Sequence, residues 1–413
     1  MITYFSDTSR LERVNGESVA HLLADTPGVA RVILGAAAAA RGEAGADPRA
    51  MSHSWLFSGP PGSGRSNAAL YFAAALMCTG PEPGCGRCES CVSILEHQQH
   101  TDLVYVNPQE QFITVDTARR VIERAATMPT VAPWRVVIFN NADRLNNQAA
   151  NALLKTVEEP PVRTVMIMCA PSEDPADFSQ TLRSRCRHLY IPAPSVGGIV
   201  KLLVAEGTSE HDARLAAVTS LRHVGRARKL VASPQVQKRR AVAINIAEEV
   251  FHGSQGFQAV SGLIKLVEAE SKSTAAKSDA AELEKLQQSY GVGAKGKGAA
   301  KAQREARTAV KELEGLQKKR AKRRMIDILD LSLIDLSGIY RDALMLKVGA
   351  EVEMTHPDFS GLAGELAARV SEEGLLDCQA AITFCREQLT QNATPQVAFD
   401  GLIGRLRRAC GTR

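Results

Sequence analysis

The stretch SWLFSGPPGSGRSNAALYFAAALM, residues 54–77, decides the predicted fold. It contains a short apolar strand, a glycine-rich turn and an alanine-rich helical run. Four more apolar runs of strand length follow, at 103–106, 135–139, 164–169 and 188–191. Helical patterns lie between them, at 116–126, 148–157 and 177–183. Short apolar strands that alternate with helices are typical of βαβ units, so the sequence predicts an α/β domain with a parallel sheet and helices on both faces.

The strand pattern stops near residue 194, and every later segment is predicted to be helix or linker. The first 28 residues show no clear periodicity. The predicted organisation is a poorly determined segment at 1–28, the α/β domain at 29–194, a small helical unit at 195–234 and a larger helical domain at 235–413. The last of these contains a charged insertion, 271–324, which is predicted to be a helical arm with a flexible glycine-containing elbow at 290–298.

Composition excludes several classes of protein. The 413 residues are 45% hydrophobic and 23% charged, which excludes wholesale disorder and leaves enough apolar residues for two or three cores. The chain lacks an apolar run of about 20 residues that could span a bilayer, and no secretory signal is evident, so we expect a cytoplasmic protein without a membrane partner. In that compartment the nine cysteines favour metal binding or buried thiols over disulfides.

The net charge of +5 is concentrated in one segment. Residues 295–324 carry twelve Lys and Arg against three Glu, a local charge of +9, so the remaining chain carries −4. Two interpretations of this basic segment stay open. It is either a DNA contact that neutralises phosphates or the solvated face of an exposed helix.

The glycine-rich turn has the context of a phosphate-binding loop, because it follows a strand and opens a helix. Its candidate residues are Gly59, Gly62, Gly64, Arg65 and Ser66. In a working loop, backbone N–H groups cradle phosphates, a Lys reaches the β and γ oxygens, and Ser or Thr binds magnesium. Here Arg65 stands at the Lys position, and its planar, forked side chain does not replace a compact ammonium.

The acidic half of such a site is also missing. The apolar run 135–139 ends in Asn140 and Asn141, where Asp would bind magnesium and Glu would activate water. An amide supplies neither a full negative charge nor a general base. Hydrolysis, weak ATP binding and a purely structural loop are the alternatives, and the three replacements together favour the structural loop.

Four cysteines form a candidate structural zinc module at 78–91. They are Cys78, Cys85, Cys88 and Cys91. Two-residue spacings let a tight turn direct two thiolates at one tetrahedral ion, and four protein ligands leave no open position for catalysis. His97 and His100 are close enough in sequence to be alternative ligands. The other five cysteines have no ligand spacing and are predicted to be core or surface residues: Cys169, Cys186, Cys378, Cys385 and Cys410.

Together these motifs resemble the clamp-loader family of bacterial DNA polymerase III, and within it the delta-prime subunits. The resemblance rests on the loop at 59–66, the cysteine module after its helix, NALLKTVEEPP at 151–161 and TLRSRC at 181–186. It covers residues 30–233 well and the rest only as a helical third domain. It implies a RecA-like AAA+ domain, a small helical lid and an all-α collar, through which five subunits assemble.

The resemblance also implies the function. ATPase subunits of the family keep the Lys and the acidic pair, whereas delta-prime subunits lose them, so the chain is expected to be no enzyme on its own but a component of the DNA polymerase III holoenzyme. Its implied partners are gamma/tau and delta subunits, the sliding clamp and primed DNA. By the family match Arg185 is an arginine finger for a neighbour's ATP, and the plainer alternative is a surface ion pair. An ATP-hydrolysing tau/gamma-type subunit and a zinc-dependent nucleic-acid-binding module remain the alternative functions.

Overall fold

The computed structural model describes residues 16–108, 112–290, 299–391 and 393–412. The chain divides into two compact units of similar size. The first comprises residues up to 198 together with 222–225, and the second comprises 199–221 and 226 onward. The predicted elbow at 291–298 lies outside the described residues.

A five-stranded, wholly parallel sheet forms the centre of the first unit. Its strands are β1 (Ser54–Ser58), β2 (Leu103–Val106), β3 (Arg135–Phe139), β4 (Thr164–Ala170) and β5 (Arg187–Tyr190). Their order across the sheet is β2-β3-β4-β1-β5. In the register, Trp55 is opposite both Ile167 and Arg187, so β1 lies between β4 and β5. Because the strands are parallel, the carboxyl ends of β1 and β3 lie at the same edge of the sheet. The glycine loop follows β1 there, and Asn140 and Asn141 follow β3.

The sheet is buried on both faces, as the continuous apolar strands predict. Alternate residues of one strand enter separate cores: Trp55 and Phe57 pack on one face, and Leu56 packs on the other. Among the described residues, seven α-helices lie between residues 16 and 195: α1 (Val19–Leu22), α2 (Pro27–Arg41), α3 (Arg65–Met77), α4 (Glu89–His97), α5 (Val115–Ala125), α6 (Asn147–Glu158) and α7 (Gln180–Arg183). The predicted α/β domain with helices on both faces is confirmed.

Two details differ from the sequence prediction. The helix expected over 177–183 is confined to α7, because residues 174–178 form a turn in which Phe178 N–H donates to Asp174 O at 2.9 Å. The segment before residue 28 includes α1, although the sequence shows no periodicity there. Val19 of this helix is fully buried, and its N–H donates to Gly84 O at 2.8 Å.

The second unit is built from helices alone among its described residues. They are α8 (Val196–Ala205), α9 (Glu210–Thr219), α10 (Val224–Ala232), α11 (Pro234–Glu249), α12 (Gln255–Ser289), α13 (Ala299–Lys347), α14 (Ser360–Arg369), α15 (Glu372–Thr390) and α16 (Pro395–Ala409). α8 and α10 begin within the residues of the first unit. The predicted all-helical region after the sheet is confirmed. No helix in the described residues is both long enough and apolar enough to cross a membrane.

Two of these helices are much longer than the rest. α12 has 35 residues and α13 has 49. The second half of α13 carries a buried apolar row that includes Leu329, Leu333 and Leu336, and this row packs into the core of the unit. The first half of α13 extends with the end of α12 as a paired helical arm, in which Ser271 Oγ donates to Ala321 O at 3.1 Å. The predicted helical insertion therefore has the form of two long helices that continue out of the core.

Candidate nucleotide loop, cysteine cluster and exposed arginine

The glycine loop joins β1 to α3 in a conformation that depends on glycine. Gly62 has φ +85°, and a Cβ placed on it would lie 2.4 Å from His223 Cγ. A Cβ on Gly59 would lie 2.1 Å from the carbonyl oxygen of Ile191. Gly64, at φ +85°, immediately precedes the first residue of α3. The backbone therefore has the strand, tight turn and helix N-terminus that the sequence predicts, and it packs closely against its surroundings.

Arg65, at the position of the phosphate-binding lysine, is turned into the protein. Its Nη1 has no hydrogen-bond partner within the described part of the chain. Burial lowers the pKa of Arg65, and electrostatic interactions with Cys169 and Asp143 oppose that effect. Burial raises the pKa of Asp143, and the charges of Arg144 and Arg65 oppose that effect. Arg65 thus lies in a desolvated electrostatic environment with Asp143, unlike a lysine that reaches the phosphates of a bound nucleotide.

Ser66 and Asn140 occupy the two positions that would bind magnesium in a working site. The Ser66 hydroxyl donates a hydrogen bond to Asn140 Oδ1. Asn140 Nδ2 in turn donates to Asn107 Oδ1 at 3.3 Å, which links the ends of β2 and β3 to the loop. These three side chains are neutral. The position therefore lacks the carboxylate that a hard cation such as magnesium prefers.

The four cysteines of the predicted metal module come together. Their sulfur atoms all lie within 4.8 Å of one another, and Cys78 and Cys91 are buried. The cysteines are not all in the turn between the two helices. Cys78 follows the last residue of α3, and Cys91 belongs to the first turn of α4. This cluster of cysteines can hold a metal ion, whereas His97 and His100 are not part of it.

Backbone N–H groups are directed at these sulfur atoms. Gly80 N–H lies 3.3 Å from Cys78 Sγ, and Cys85 N–H lies 3.5 Å from the same atom. Cys88 N–H lies 3.4 Å from Cys85 Sγ. A hydrogen bond with Cys91 and further bonds from this turn lower the pKa of Cys78 to about 4. The turn therefore favours a thiolate, which is the form that binds metals.

Residues that the sequence analysis missed hold the cysteine loop in place. Arg41, in the last turn of α2, donates to the carbonyl oxygens of Cys78 at 3.2 Å and Gly80 at 2.8 Å. Gly86 has φ +76°, and a Cβ on it would lie 1.9 Å from the carbonyl oxygen of Glu17. The sequence offers one signal for Arg41, its place as the basic residue that ends the apolar run from Val29. The other five cysteines lie apart from this cluster, and all except half-buried Cys186 are buried, as expected of core thiols.

Arg185 is exposed just after α7 and makes an ion pair on the surface. Its Nε donates to Glu158 Oε2 at 2.9 Å, and its Nη1 donates to Thr181 O at 2.9 Å. Glu158 is the last residue of α6. Nearby, Arg183 has a separate partner, with its Nη2 2.6 Å from Glu173 Oε2. In the isolated chain the guanidinium of Arg185 is therefore exposed but held by a carboxylate.

Subunits of DNA polymerase III are similar to part of the chain. The family described as "DNA polymerase III, delta subunit" matches residues 43–195. DNA polymerase III subunit delta' of Pseudomonas aeruginosa is 32% identical over 156 residues, which are 37% of this chain and 47% of that protein. The delta' subunit of Bacillus subtilis is 31% identical over 208 residues, 50% of this chain and 61% of that one. The gamma/tau subunit of Mycobacterium tuberculosis is 35% identical over 144 residues, 34% of this chain and 25% of that one.

The matched regions thus span about half to three fifths of the delta' relatives' own length. The match includes the glycine loop, the cysteine cluster and Arg185, and it ends near the point where the helical part begins. Residues 43–195 are therefore similar to clamp-loader subunits of DNA polymerase III, and both delta' and gamma/tau subunits are among the similar proteins.

Proposed function

We propose that the chain is a delta'-type clamp-loader subunit that does not hydrolyse ATP itself and gives Arg185 to the ATP site of a neighbouring subunit. In this role residues 195–234 act as the lid and 235–413 as the collar of a hetero-pentamer with gamma/tau-type and delta-type subunits. The assembly loads the sliding clamp onto primed DNA. The observation that carries the proposal is the neutral hydrogen-bonded pair of Ser66 and Asn140 at the two magnesium positions.

The proposal for Arg185 rests on its exposure and its charge. A trans arginine stabilises charge that develops on the transferred phosphoryl group, an effect worth roughly 10³–10⁵ in rate at one site. The surface pair with Glu158, at 2.9 Å, does not prevent this, because exposed ion pairs contribute only about 0–1 kcal/mol. A phosphate group of the neighbour's nucleotide can therefore replace Glu158 at little energetic cost.

We also propose that the cysteine cluster holds structural zinc. Four thiolates are the donor set that zinc binds tetrahedrally, and the N–H groups directed at the sulfurs stabilise the ligands. Cys78, Cys85, Cys88 and Cys91 would hold the ion and so fix the end of α3 to the start of α4. Because all four positions come from the protein, the ion has a structural role.

The second candidate is an ATP-hydrolysing gamma/tau-type subunit, which the 35% identity to the mycobacterial gamma/tau protein favours. The test is ATPase activity in the complex reconstituted with gamma/tau-type and delta-type partners, a clamp and primed DNA. We expect Arg185→Ala to preserve assembly and to remove the share of turnover that belongs to the adjacent site. Arg183→Ala is the matched control, because it removes an exposed arginine two residues away that pairs with Glu173.

Two results would argue against the proposal. If the Arg185→Ala complex hydrolyses ATP at the same rate as the Arg183→Ala complex, Arg185 does not act on a neighbour's nucleotide. If the purified chain alone hydrolyses ATP and Ser66→Ala abolishes that activity, the gamma/tau-type function is the correct one.

A further inference from the structure

The basic residues of the helical arm divide into two groups by their partners. One group faces α12. Arg320 Nη1 donates to Glu282 Oε1 at 2.9 Å, and Arg324 Nη2 lies 3.6 Å from Asp279 Oδ2. Mutual hydrogen bonding and attraction lower the pKa of Glu282 and raise that of Arg320. These arginines therefore hold the two helices together, and their charge is neutralised within the arm.

The second group forms a row on the outside of α13, which we call the basic stripe. It consists of Arg304, Arg307, Lys311 and Lys318, all of which are exposed. At about 100° per residue the four side chains fall within an arc of about 60°, and at about 1.5 Å per residue they span about 21 Å. Among the side chains that the structure describes, none lies within ion-pair distance of the stripe.

The stripe points away from the companion helix. Gln317 and Arg324 mark the contact face, because Gln317 Nε2 donates to Asp279 O at 2.9 Å and Arg324 pairs with the same residue. The centre of the stripe lies about 120° around α13 from these two residues. The arm thus presents one side of a long helix as an unneutralised row of positive charge.

We propose that the basic stripe binds the sugar–phosphate backbone of duplex DNA without sequence preference. A duplex carries one negative charge per about 1.7 Å of axis, so a row about 21 Å long faces enough phosphates to pair each of its four cations. Thr308 and Gly315, on one side of the stripe, are small, and the exposed Glu314 lies at its other edge without an ion pair to the four cations. Contacts from these cations to phosphate oxygens position the duplex without selecting a sequence, because sequence is read from the base edges.

The structure favours duplex DNA over the other anionic partners. A helix that lies in a membrane surface needs a broad apolar face beside its basic one, but among the described side chains of residues 304–318 Ala306 is buried and Leu316 alone is a large, exposed apolar residue. An acidic protein segment would need a groove or apolar anchors next to the charges. A straight row of exposed positive charges fits best along the regularly spaced phosphates of a DNA duplex.

The test is binding of the full chain, without other subunits, to a fluorescent 30-base-pair duplex between about 50 and 200 mM salt. Four phosphate contacts contribute about 3.6 to the slope of log affinity against log salt, or about a hundredfold loss of affinity over this range. We expect the variant Arg304→Gln, Arg307→Gln, Lys311→Gln and Lys318→Gln to lose that part of the slope. We also expect two duplexes of unrelated sequence to bind with affinities within about threefold of each other.

Two control variants test whether a loss of DNA binding comes from the stripe itself, from the lower net charge of the chain or from misfolding. The first replaces Lys201, Lys229, Lys265 and Lys272 by Gln, which removes the same net charge from exposed positions outside the stripe. It is expected to keep the wild-type slope. The second exchanges Arg for Lys, and Lys for Arg, at the four stripe positions, and it is expected to bind as the wild type does. Circular dichroism and thermal unfolding should be unchanged in all three variants.

The proposal would be overturned by an unchanged salt slope in the stripe variant, or by an equal loss of slope in the first control variant. It would also be overturned if the wild type failed to bind duplex at 50 mM salt, or if polyglutamate or vesicles of anionic phospholipid bound to the stripe more tightly than duplex did. Because the assay uses the free chain, its outcome is separate from the test of the clamp-loader function.

Discussion

The Ser66 hydroxyl donates a hydrogen bond to the amide oxygen of Asn140, so the two positions that would bind magnesium satisfy each other. The donor is the second residue of α3 and the acceptor directly follows β3, and the two residues are 74 apart in the chain. A hydroxyl that already has an acceptor, beside an amide that has no charge, gives a divalent cation little to bind.

This pair leads to a prediction about the chain's own loop. Adding one carboxylate with Asn140→Asp should not produce ATP hydrolysis, because Arg65 still replaces the lysine and Asn141 still replaces the general base. Calorimetric titration with magnesium ATP should show a dissociation constant weaker than about 1 mM for the wild type, since only the loop backbone is left to bind phosphate. Tight binding, or measurable turnover by the Asn140→Asp chain alone, would contradict this account.

Arg185 and Glu158 form an ion pair, but we expect ATP hydrolysis by the complex to require only Arg185. Glu158→Gln removes a surface ion pair, so the free energy of unfolding should change by less than about 1 kcal/mol. In the reconstituted complex Glu158→Gln should keep ATPase activity, because the exposed arginine remains. If Glu158→Gln lowers turnover as much as Arg185→Ala does, while both proteins assemble normally, the ion pair itself is what the complex requires.

The cysteine cluster predicts one tightly bound zinc per chain, measurable by elemental analysis. Cys85→Ser should remove the ion and lower the midpoint of thermal unfolding, whereas Cys186→Ser, a half-buried thiol outside the cluster, should keep the ion. Zinc should be released as the pH falls, because protons compete with the metal for thiolates, and it should be retained above neutrality. A Cys85→Ser protein with full zinc content would rule out this ligand set.

A buried ion pair joins Arg135, the first residue of β3, to Asp102, which directly precedes β2, and we expect its loss to lower stability strongly. Arg135 Nη2 lies 2.8 Å from Asp102 Oδ1, with the two side chains 7% and 0% exposed. The other carboxylate oxygen accepts N–H bonds from Val131 at 2.7 Å and Ala132 at 2.9 Å. Asp102→Asn leaves Arg135 as an uncompensated buried charge, so we expect a loss of about 3–5 kcal/mol in denaturant unfolding. A change below about 1 kcal/mol would show that water reaches the pair.

The Asp102 carboxylate also predicts how the stability of the protein changes at acid pH. Burial alone would raise the pKa of Asp102, but N–H bonds from Ala132 and Val131 and the Arg135 guanidinium outweigh burial and hold that pKa well below its usual range. A group whose pKa is lowered by folding stabilises the protein above its unfolded-state pKa of about 4. Its contribution should be lost as the pH falls below that value. Asp102→Asn should therefore unfold with a weaker pH dependence below about pH 4.

Local patterns predicted much of the fold. β1, β2 and β3 have the bounds that the apolar runs indicate, since a strand buried on both faces must be apolar throughout. α1 was missed because it has only four residues and is held by contacts such as the hydrogen bond from Val19 to Gly84. α4 has buried residues at helical spacing, Cys91, Ile94 and Leu95, but its first turn includes Cys91 of the cysteine cluster.

The candidate site was predicted as a set of residue types but not as a set of contacts. The replacements at Arg65 and Asn140 are visible in the sequence, but the bond between Ser66 and Asn140 depends on the order of the strands in the sheet. The partner of Arg185, Glu158, lies 27 residues away on another helix. The division of the arm's basic residues into paired and exposed groups likewise requires the position of α12.

The position of β1 between β4 and β5 also affects how the protein is made. Ser54 pairs with Met166 and Trp55 with Arg187, so both neighbours of this apolar strand are translated more than a hundred residues after it. At roughly 5–20 residues per second, the strand waits on the order of ten seconds before it can be paired. During synthesis β1, which is paired on both sides in the finished sheet, is thus an unpaired apolar segment on the ribosome, where a chaperone can bind it.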